Sequence, residues 1–356
     1  GLDKKMKGRG RHKGDFSVIR GGAAELTASR LRELANDDDV EAVSVDADVT
    51  SDGIASTVSG AALNTGFSLK STLGLKGAAA TTTTTSFQQG GANAYAGVLD
   101  TGVDVTHPDL ATRFRGGTGD WFDPYGQHPD VPTDLSGHGT ATTGVLVGGD
   151  DSGLTIGTAP GATWIAARVF DDSGASTTSA VHQAFQWVLD PDGDPLTADA
   201  PRIVNASWSI GTAPSCNLEF QPDVQALRAA GILAVFPAGN FGPATSSSVS
   251  PGNYPESLSV GALLTTGSIS GLSGRGPSDC GGRARPFPDV VAPGEDVLTA
   301  DRYGLYQYAS GTSVASARSR GAARPRSEKL VTMIAFAGKR GRRAWDMDAW
   351  RGRRLD

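Results

Sequence analysis

The sequence predicts an α/β fold: a doubly wound, mostly parallel sheet flanked by helices and preceded by a small α+β fragment. Three observations predict it. Apolar runs alternate with amphipathic stretches from residue 94 to residue 236, and the 48 glycines and 19 prolines supply breaks between such runs. Polar residues, Asp100, Ser207 and Asn240, stand where apolar runs end. Strand-helix-strand alternation requires crossover connections and hence parallel pairing, and in such sheets ligand chemistry gathers at the carboxyl ends of the strands.

Residues 16–50 read as strand, helix, strand. Phe16–Arg20 is the first strand, a helix follows with Ala28, Leu31, Leu34 and Ala35 on one face, and Val40–Val45 closes the unit. From Thr50 to about Gly91 the chain turns to Ser, Thr, Gly and Ala, including the run Thr81–Thr85, with a short helical turn near Leu73; this reads as a linker holding a domain boundary. Beyond it the predicted strands are Ala94–Leu99, Thr163–Val169, Arg202–Ser207 and Ile232–Phe236. The predicted helices are Thr140–Val147, Ser179–Leu189 and Pro222–Ala230.

The net charge of -6 conceals an asymmetry: residues 318–356 hold 12 Lys and Arg against 4 Asp and Glu, leaving 20 against 34 elsewhere. An acidic body gives no electrostatic footprint for nucleic acid, and no run of 18 or more apolar residues offers a membrane span. Two cysteines, Cys216 and Cys280, rule out a cysteine-rich zinc scaffold and leave a disulfide or two thiols open. The chain starts Gly1-Leu2-Asp3, with neither an initiator methionine nor a signal peptide, so its original start is expected upstream.

Three glycine-bearing turns carry the chemistry. Val98-Leu99-Asp100-Thr101-Gly102 sets a carboxylate at a strand end, a place that also suits a turn or cap residue. Ser136-Gly137-His138-Gly139-Thr140 flanks a histidine with two glycines ahead of a helical stretch; a lone histidine is as readily structural. Ser310-Gly311-Thr312-Ser313 places a hydroxyl after a glycine turn, where backbone N–H groups can face a developing oxyanion, although the bare triplet also fits a loop or N-cap.

Asp, His and Ser in that chain order match one of the convergent arrangements for a serine nucleophile. Residues 90–317 resemble the subtilisin family through Gly97-Val98-Leu99-Asp100-Thr101-Gly102, His107-Pro108-Asp109-Leu110, Gly137-His138-Gly139-Thr140, Pro237-Ala238-Gly239-Asn240 and Gly311-Thr312-Ser313. The resemblance implies a secreted serine endopeptidase acting on protein or peptide substrates, with Ser313 as nucleophile, His138 as base and then acid, and Asp100 orienting the imidazole. It implies Asn240 as an oxyanion donor and substrate lying along Ser207, Trp208 and Ser209 opposite Ala238 and Gly239. Ser209 and Ile210 stand where many relatives have glycine, which either narrows the pocket before the scissile bond or reflects an adjusted loop. No cofactor is implied for the chemistry; a structural calcium is, with Asp109 and Asp151 at ligand positions that also suit exposed turn residues.

The same resemblance divides the chain. Residues 1–50 correspond to part of an inhibitor propeptide that folds the enzyme and blocks its cleft until cut between about Asp48 and Gly60; an unrelated βαβ fragment is the alternative. Residues 51–90 are linker and start of the mature enzyme, 91–317 the peptidase domain, and 318–356 an atypical basic tail. After the nucleophile, relatives continue Pro-His-Val-Ala-Gly in a buried helix. This chain reads Ala317-Arg318-Ser319-Arg320-Gly321, with Arg324, Pro325 and Arg326 following, which cannot pack as a buried helix. Codons exist for Ala317–Arg326 that, read one base later, spell His-Val-Ala-Gly-Ala-Leu-Leu-Ala-Leu, so the tail reads as an out-of-frame product. Two rivals stand: a basic arm for acidic surfaces or nucleic acid, and a catalytically inactive pseudoprotease. A lipase-type hydrolase lacks its Gly-x-Ser-x-Gly elbow here.

Overall fold

The computed structural model describes residues 11–16, 21–25, 49–51, 55–57 and 95–319. Its strands, in chain order, are β1 (Arg11–Phe16), β2 (Gly21–Glu25), β3 (Thr50–Ser51), β4 (Ala55–Thr57), β5 (Tyr95–Asp100), β6 (Trp121–Phe122), β7 (Thr163–Arg168), β8 (Ile203–Asn205), β9 (Trp208–Ser209), β10 (Leu233–Pro237), β11 (Leu258–Leu263), β12 (Val290–Pro293), β13 (Val297–Ala300) and β14 (Tyr306–Ser310). The helices are α1 (Pro108–Ala111), α2 (His138–Val147), α3 (Thr178–Leu189), α4 (Gln221–Ala229) and α5 (Thr312–Ser319).

Seven strands form one sheet in the order β12-β11-β10-β8-β5-β7-β6, and every pairing in it is parallel. From β5 the chain reaches the edge at β6, comes back to β7 beside β5, then passes to β8 on the other side of β5 and outward through β10 and β11 to β12. The reversal falls between β5 and β8, so the crevice beyond their carboxyl ends is where this topology puts a site. Strand alternation divides the core into two layers. Ala96, Val98, Trp164 and Ala166 face one side with Val145, Leu146 and Val147 of α2 and Val314 and Ala317 of α5. Leu99, Ile165 and Ala167 face the other with Val181, Phe185 and Val188 of α3 and Val224 and Leu227 of α4. All ten residues of α2 are buried, which accounts for its run of small and apolar side chains without a polar face.

Trp208 anchors the crevice from below. It is fully buried, its indole N–H donates to the Leu99 carbonyl at 2.9 Å, and Phe220 and Phe236 pack edge-on at 5.5 and 5.8 Å.

The predicted strands and helices of the sheet all form, with ends shifted by one or two residues. At the N-terminus β1 and β2 pair antiparallel, β1 ending at Phe16; residues 17–20 of the predicted strand Phe16–Arg20 lie outside the described residues. The helix expected over residues 28–35 and the strand at 40–45 lie outside the described residues, as do the helical turn near Leu73 and the tail from residue 320. Two pieces of the predicted linker are strands. β3 pairs antiparallel with β9, and β4 joins β13 and β14 as the third strand of a small antiparallel sheet.

Candidate active site

β5 delivers Asp100 to the crevice. Its Oδ1 accepts the Thr101 N–H at 2.8 Å and lies 2.6 Å from Nδ1 of His138, both side chains being buried. Two glycines make that approach possible. A Cβ on Gly102, whose φ is +110°, would stand 1.9 Å from the Thr133 carbonyl oxygen, and one on Gly139 would stand 2.0 Å from the carbonyl oxygen of Gly102. The turn after Asp100 and the first turn of α2 therefore touch backbone to backbone, and any side chain there would separate the carboxylate from the imidazole.

Asp134 locks this arrangement, and sequence reasoning missed it. One carboxylate oxygen accepts the Thr101 hydroxyl at 2.9 Å and the N–H groups of Ser136 and Gly137 at 3.0 and 2.8 Å. The other accepts the backbone N–H and hydroxyl of Thr140 at 2.9 and 2.7 Å. Thr101 Oγ1 in turn accepts the Gly139 N–H at 2.9 Å. One buried carboxylate thus fixes residues on both sides of His138 and the residue after Asp100.

Ser313 lies in the first turn of α5, which packs against α2. Its hydroxyl donates to the Ser207 carbonyl at 3.2 Å. Below it, Ser316 Oγ donates to the Ser313 carbonyl at 2.8 Å and meets Ser207 Oγ at 3.0 Å, while Asn205 Nδ2 donates to Ser207 Oγ at 2.7 Å. The turn bearing Ser313 is therefore tied to the exit of β8. Asn240, at the exit of β10, accepts the Thr312 N–H and hydroxyl on Oδ1, both at 2.9 Å. Pinning the carbonyl end of that amide orients its donor end, Nδ2.

The Ser207 carbonyl meets Ser313; Trp208 and Ser209 follow it in β9, Ala238 and Gly239 precede Asn240, and all five residues are buried. Trp208 contributes only backbone, since its indole is in the core. Against it lies the chain's own β3, in register Thr50↔Ser209 and Ser51↔Trp208, preceded by Val49, which is buried in the core and donates its N–H to Ser176 O at 3.2 Å. β4 then pairs with β14 in register Ala55↔Ser310, three residues before Ser313.

Asp109 and Asp151 meet at the opposite end of α2, which as a ten-residue helix is about 15 Å long. Asp109 Oδ1 accepts the Asp151 N–H at 2.6 Å, and the Asp109 carbonyl accepts the Gly149 N–H at 2.9 Å. Asp109 Oδ2 is buried and accepts no hydrogen bond, an orphaned position that suits a hard cation; the Asp151 carboxylate is exposed beside it. Burial, and then the Asp109 carboxylate, push the Tyr306 phenol up to about 12. A second acidic group, Asp190, Asp192 and Asp199, gathers between α3 and β8, where Asp199 Oδ2 accepts the Asp192 N–H at 2.8 Å and helps close its own loop.

Cys216 and Cys280 form a disulfide, which settles the alternative left by the sequence. It joins the loop after β9 to the segment before β12.

The model of the Subtilase family matches residues 91–327. Bacillopeptidase F of Bacillus subtilis (strain 168) is 34% identical over 240 residues, covering 61% of this chain and 16% of that protein. The intracellular serine protease of Paenibacillus polymyxa is 31% identical over 228 residues, 63% of this chain and 64% of that protein. Subtilisin E of Bacillus subtilis (strain 168) is 29% identical over 235 residues, 65% and 55% respectively. The chain spans less than two thirds of the length of each of these three relatives.

Proposed function

Because the chain belongs to the subtilase family, we propose that it is a serine endopeptidase working through Asp100, His138 and Ser313. The observation that carries this reading is the buried 2.6 Å contact of Asp100 Oδ1 with His138 Nδ1. It fixes the imidazole with its proton on Nδ1, leaves Nε2 as the base, and stabilises the imidazolium once that base is charged. Nε2 then takes the proton of Ser313 Oγ as this oxygen adds to a peptide carbonyl. The oxyanion is stabilised by Asn240 Nδ2 and the Ser313 N–H, donors held in place before the charge develops. The imidazolium returns its proton to the leaving amine, and water repeats the sequence on the acyl-enzyme.

Peptide and protein substrates take the position of β3 along Ser207–Ser209, facing Ala238 and Gly239. The N-terminal segment acts as an intramolecular inhibitor, a zymogen arrangement supported by the pairing of β3 with β9 and β4 with β14 on either side of Ser313. Cleavage between about Asp48 and Gly60 releases it. The disulfide supports a secreted protein. Asp109, with Asp151, would hold a structural calcium, which would add rigidity to the loop after α2 and take no part in the chemistry at Ser313.

A second reading, an inactive or truncated product, is favoured by Arg318. This residue lies half-buried at the end of α5, where burial pushes its guanidinium pKa down; an out-of-frame tail beginning there would bring such a charge into the helix. Fluorophosphonate labelling decides between the two. The active enzyme labels at Ser313 and loses the label in Ser313→Ala; a folded chain that takes no label is the inactive product.

A further inference from the structure

α2 carries two adjacent threonines, Thr142 and Thr143, in a helix whose ten residues are all buried. A valine has the same outline and no hydroxyl to satisfy, so a threonine in such a place needs an acceptor within reach. Thr143 has one: its Oγ1 donates to the Gly139 carbonyl, one turn back, at 2.7 Å. Thr142 Oγ1 stands 3.1 Å from that same carbonyl and 3.4 Å from Oδ2 of Asp100.

Lone pairs decide between the two acceptors. A carbonyl oxygen has two. In an α-helix the Gly139 carbonyl receives the Thr143 N–H, and the Thr143 hydroxyl takes its second position. Asp100 Oδ2 is the opposite case. The residue is 1% exposed, the Thr101 N–H and His138 Nδ1 both meet Oδ1, and among the described residues Thr142 is the only donor to Oδ2. A buried ionised oxygen without a donor is costly, and the Thr142 hydroxyl is the donor in reach.

We propose that Thr142 is a positioning residue for the triad: its hydroxyl donates to Asp100 Oδ2 and so sets how tightly Oδ1 holds the His138 imidazolium. This rests on the peptidase reading above. A donor on Oδ2 draws negative charge away from Oδ1. Without it, Oδ1 holds the imidazolium more tightly, and Nε2 becomes a free base only at higher pH.

The other charges around the pair have their own places. Asp134 is held by two hydroxyls and three N–H groups. Arg168, in register with Asp100 on β7, pairs with Asp172 and lies 4.0 Å from Asp123. Asp104, after β5, accepts the N–H and hydroxyl of Thr106, and the Arg302 side chain lies against Gly137. α5 carries its one charge, Arg318, in its last turn, Asp109 of α1 lies at the far end of α2, and β13 carries none. All of these remain in the variants below.

The test measures the rate at which a small fluorophosphonate inactivates the full chain from about pH 5 to 9, the range in which a histidine base loses its proton. The native rate should rise through one midpoint to a plateau. Thr142→Val should move the midpoint up by about half a pH unit, read as an about 3-fold lower rate on the acid side, with the plateau within about 2-fold. Thr142→Ser, which returns the hydroxyl, should restore the native midpoint. Should Thr142→Val fail to fold, Thr143→Val takes its place: it frees the Gly139 carbonyl for Thr142 to turn to, and should move the midpoint up by a smaller amount. A midpoint unmoved in the valine variant, even with a lower plateau, or moved as far in Thr142→Ser, overturns the proposal alone. A native chain that takes no fluorophosphonate overturns the peptidase reading and this proposal with it.

Discussion

Asp134 and Thr140 are joined twice, Oδ2 of the one accepting both the backbone N–H and the hydroxyl of the other at 2.9 and 2.7 Å. Because Oδ1 also gathers Thr101, Ser136 and Gly137, removal of this carboxylate leaves several buried donors unmet, each at about 1–3 kcal/mol. Asp134→Ala should lower kcat by about 100-fold, through misplacement of His138, with KM within about 3-fold. Asp134→Asn, which keeps one acceptor oxygen and turns the other into a donor, should recover part of the loss. Kinetics measured beside thermal unfolding decide the matter: a kcat that falls only in proportion to the folded fraction means Asp134 is structural and does not position His138.

The sheet was legible from sequence where strands are apolar throughout, as in Tyr95–Leu99 and Leu233–Phe236. It was not legible where tertiary partners excuse polar or small residues. β11 contains Ser259, whose hydroxyl and N–H both bond Asp289 Oδ2, and Gly261, where a Cβ would stand 2.7 Å from Pro288 Cγ. Neither partner is near in sequence, so the run Leu258–Leu263 shows no clean period. β3 and β9 have only two residues each and exist through their pairing with one another. At the site, flanking glycines marked Asp100 and His138 because close backbone approach requires them. Asp134 had no such mark: an acid four residues before a histidine has no pattern until five donors converge on it.

The orphaned Asp109 Oδ2 makes calcium a matter of stability. Calcium at 100 times its dissociation constant should stabilise the protein by about 2.7 kcal/mol, read as a rise in Tm that a chelator reverses. Asp109→Asn keeps the shape of the side chain but withdraws its charge, and should abolish both the rise in Tm and the calorimetric binding heat. A calcium response that survives in that variant would locate the ion elsewhere.

The disulfide between Cys216 and Cys280 closes a loop with a sequence separation of 64. Loop-closure entropy assigns such a crosslink about 4 kcal/mol, subject to residual structure in the unfolded chain. Cys216→Ser, or reduction in denaturant followed by alkylation, should lower stability by about that amount. Denaturant midpoints measured with and without reductant test this, mass spectrometry confirming the thiol count. A midpoint indifferent to reduction would show that the surrounding packing already fixes the two segments.

His182 ties α3 to the start of α4 through both ring nitrogens, Nδ1 to Asp223 Oδ2 at 2.9 Å and Nε2 to Glu219 Oε1 at 3.2 Å. Burial alone would lower its pKa, but the hydrogen bonds to Asp223 and Glu219 prevail and raise it to about 9. A histidine raised in the folded state stabilises fully below its ordinary value of about 6.5, and that stabilisation is lost as pH rises through 9. The alkaline limb is worth up to about 3 kcal/mol, an upper bound because the pair is coupled. Burial also pushes the Asp223 carboxyl up, so the stability linked to that group is fully present below the ordinary carboxylate range and is lost as pH rises from there. The disulfide removes both thiols from the window of interest. Tm measured from pH 6 to 10 on the Ser313→Ala chain, which cannot digest itself, should therefore decline across this range. His182→Gln should flatten the decline while lowering Tm at pH 6. An equally steep alkaline limb in the glutamine variant would assign that limb to another group.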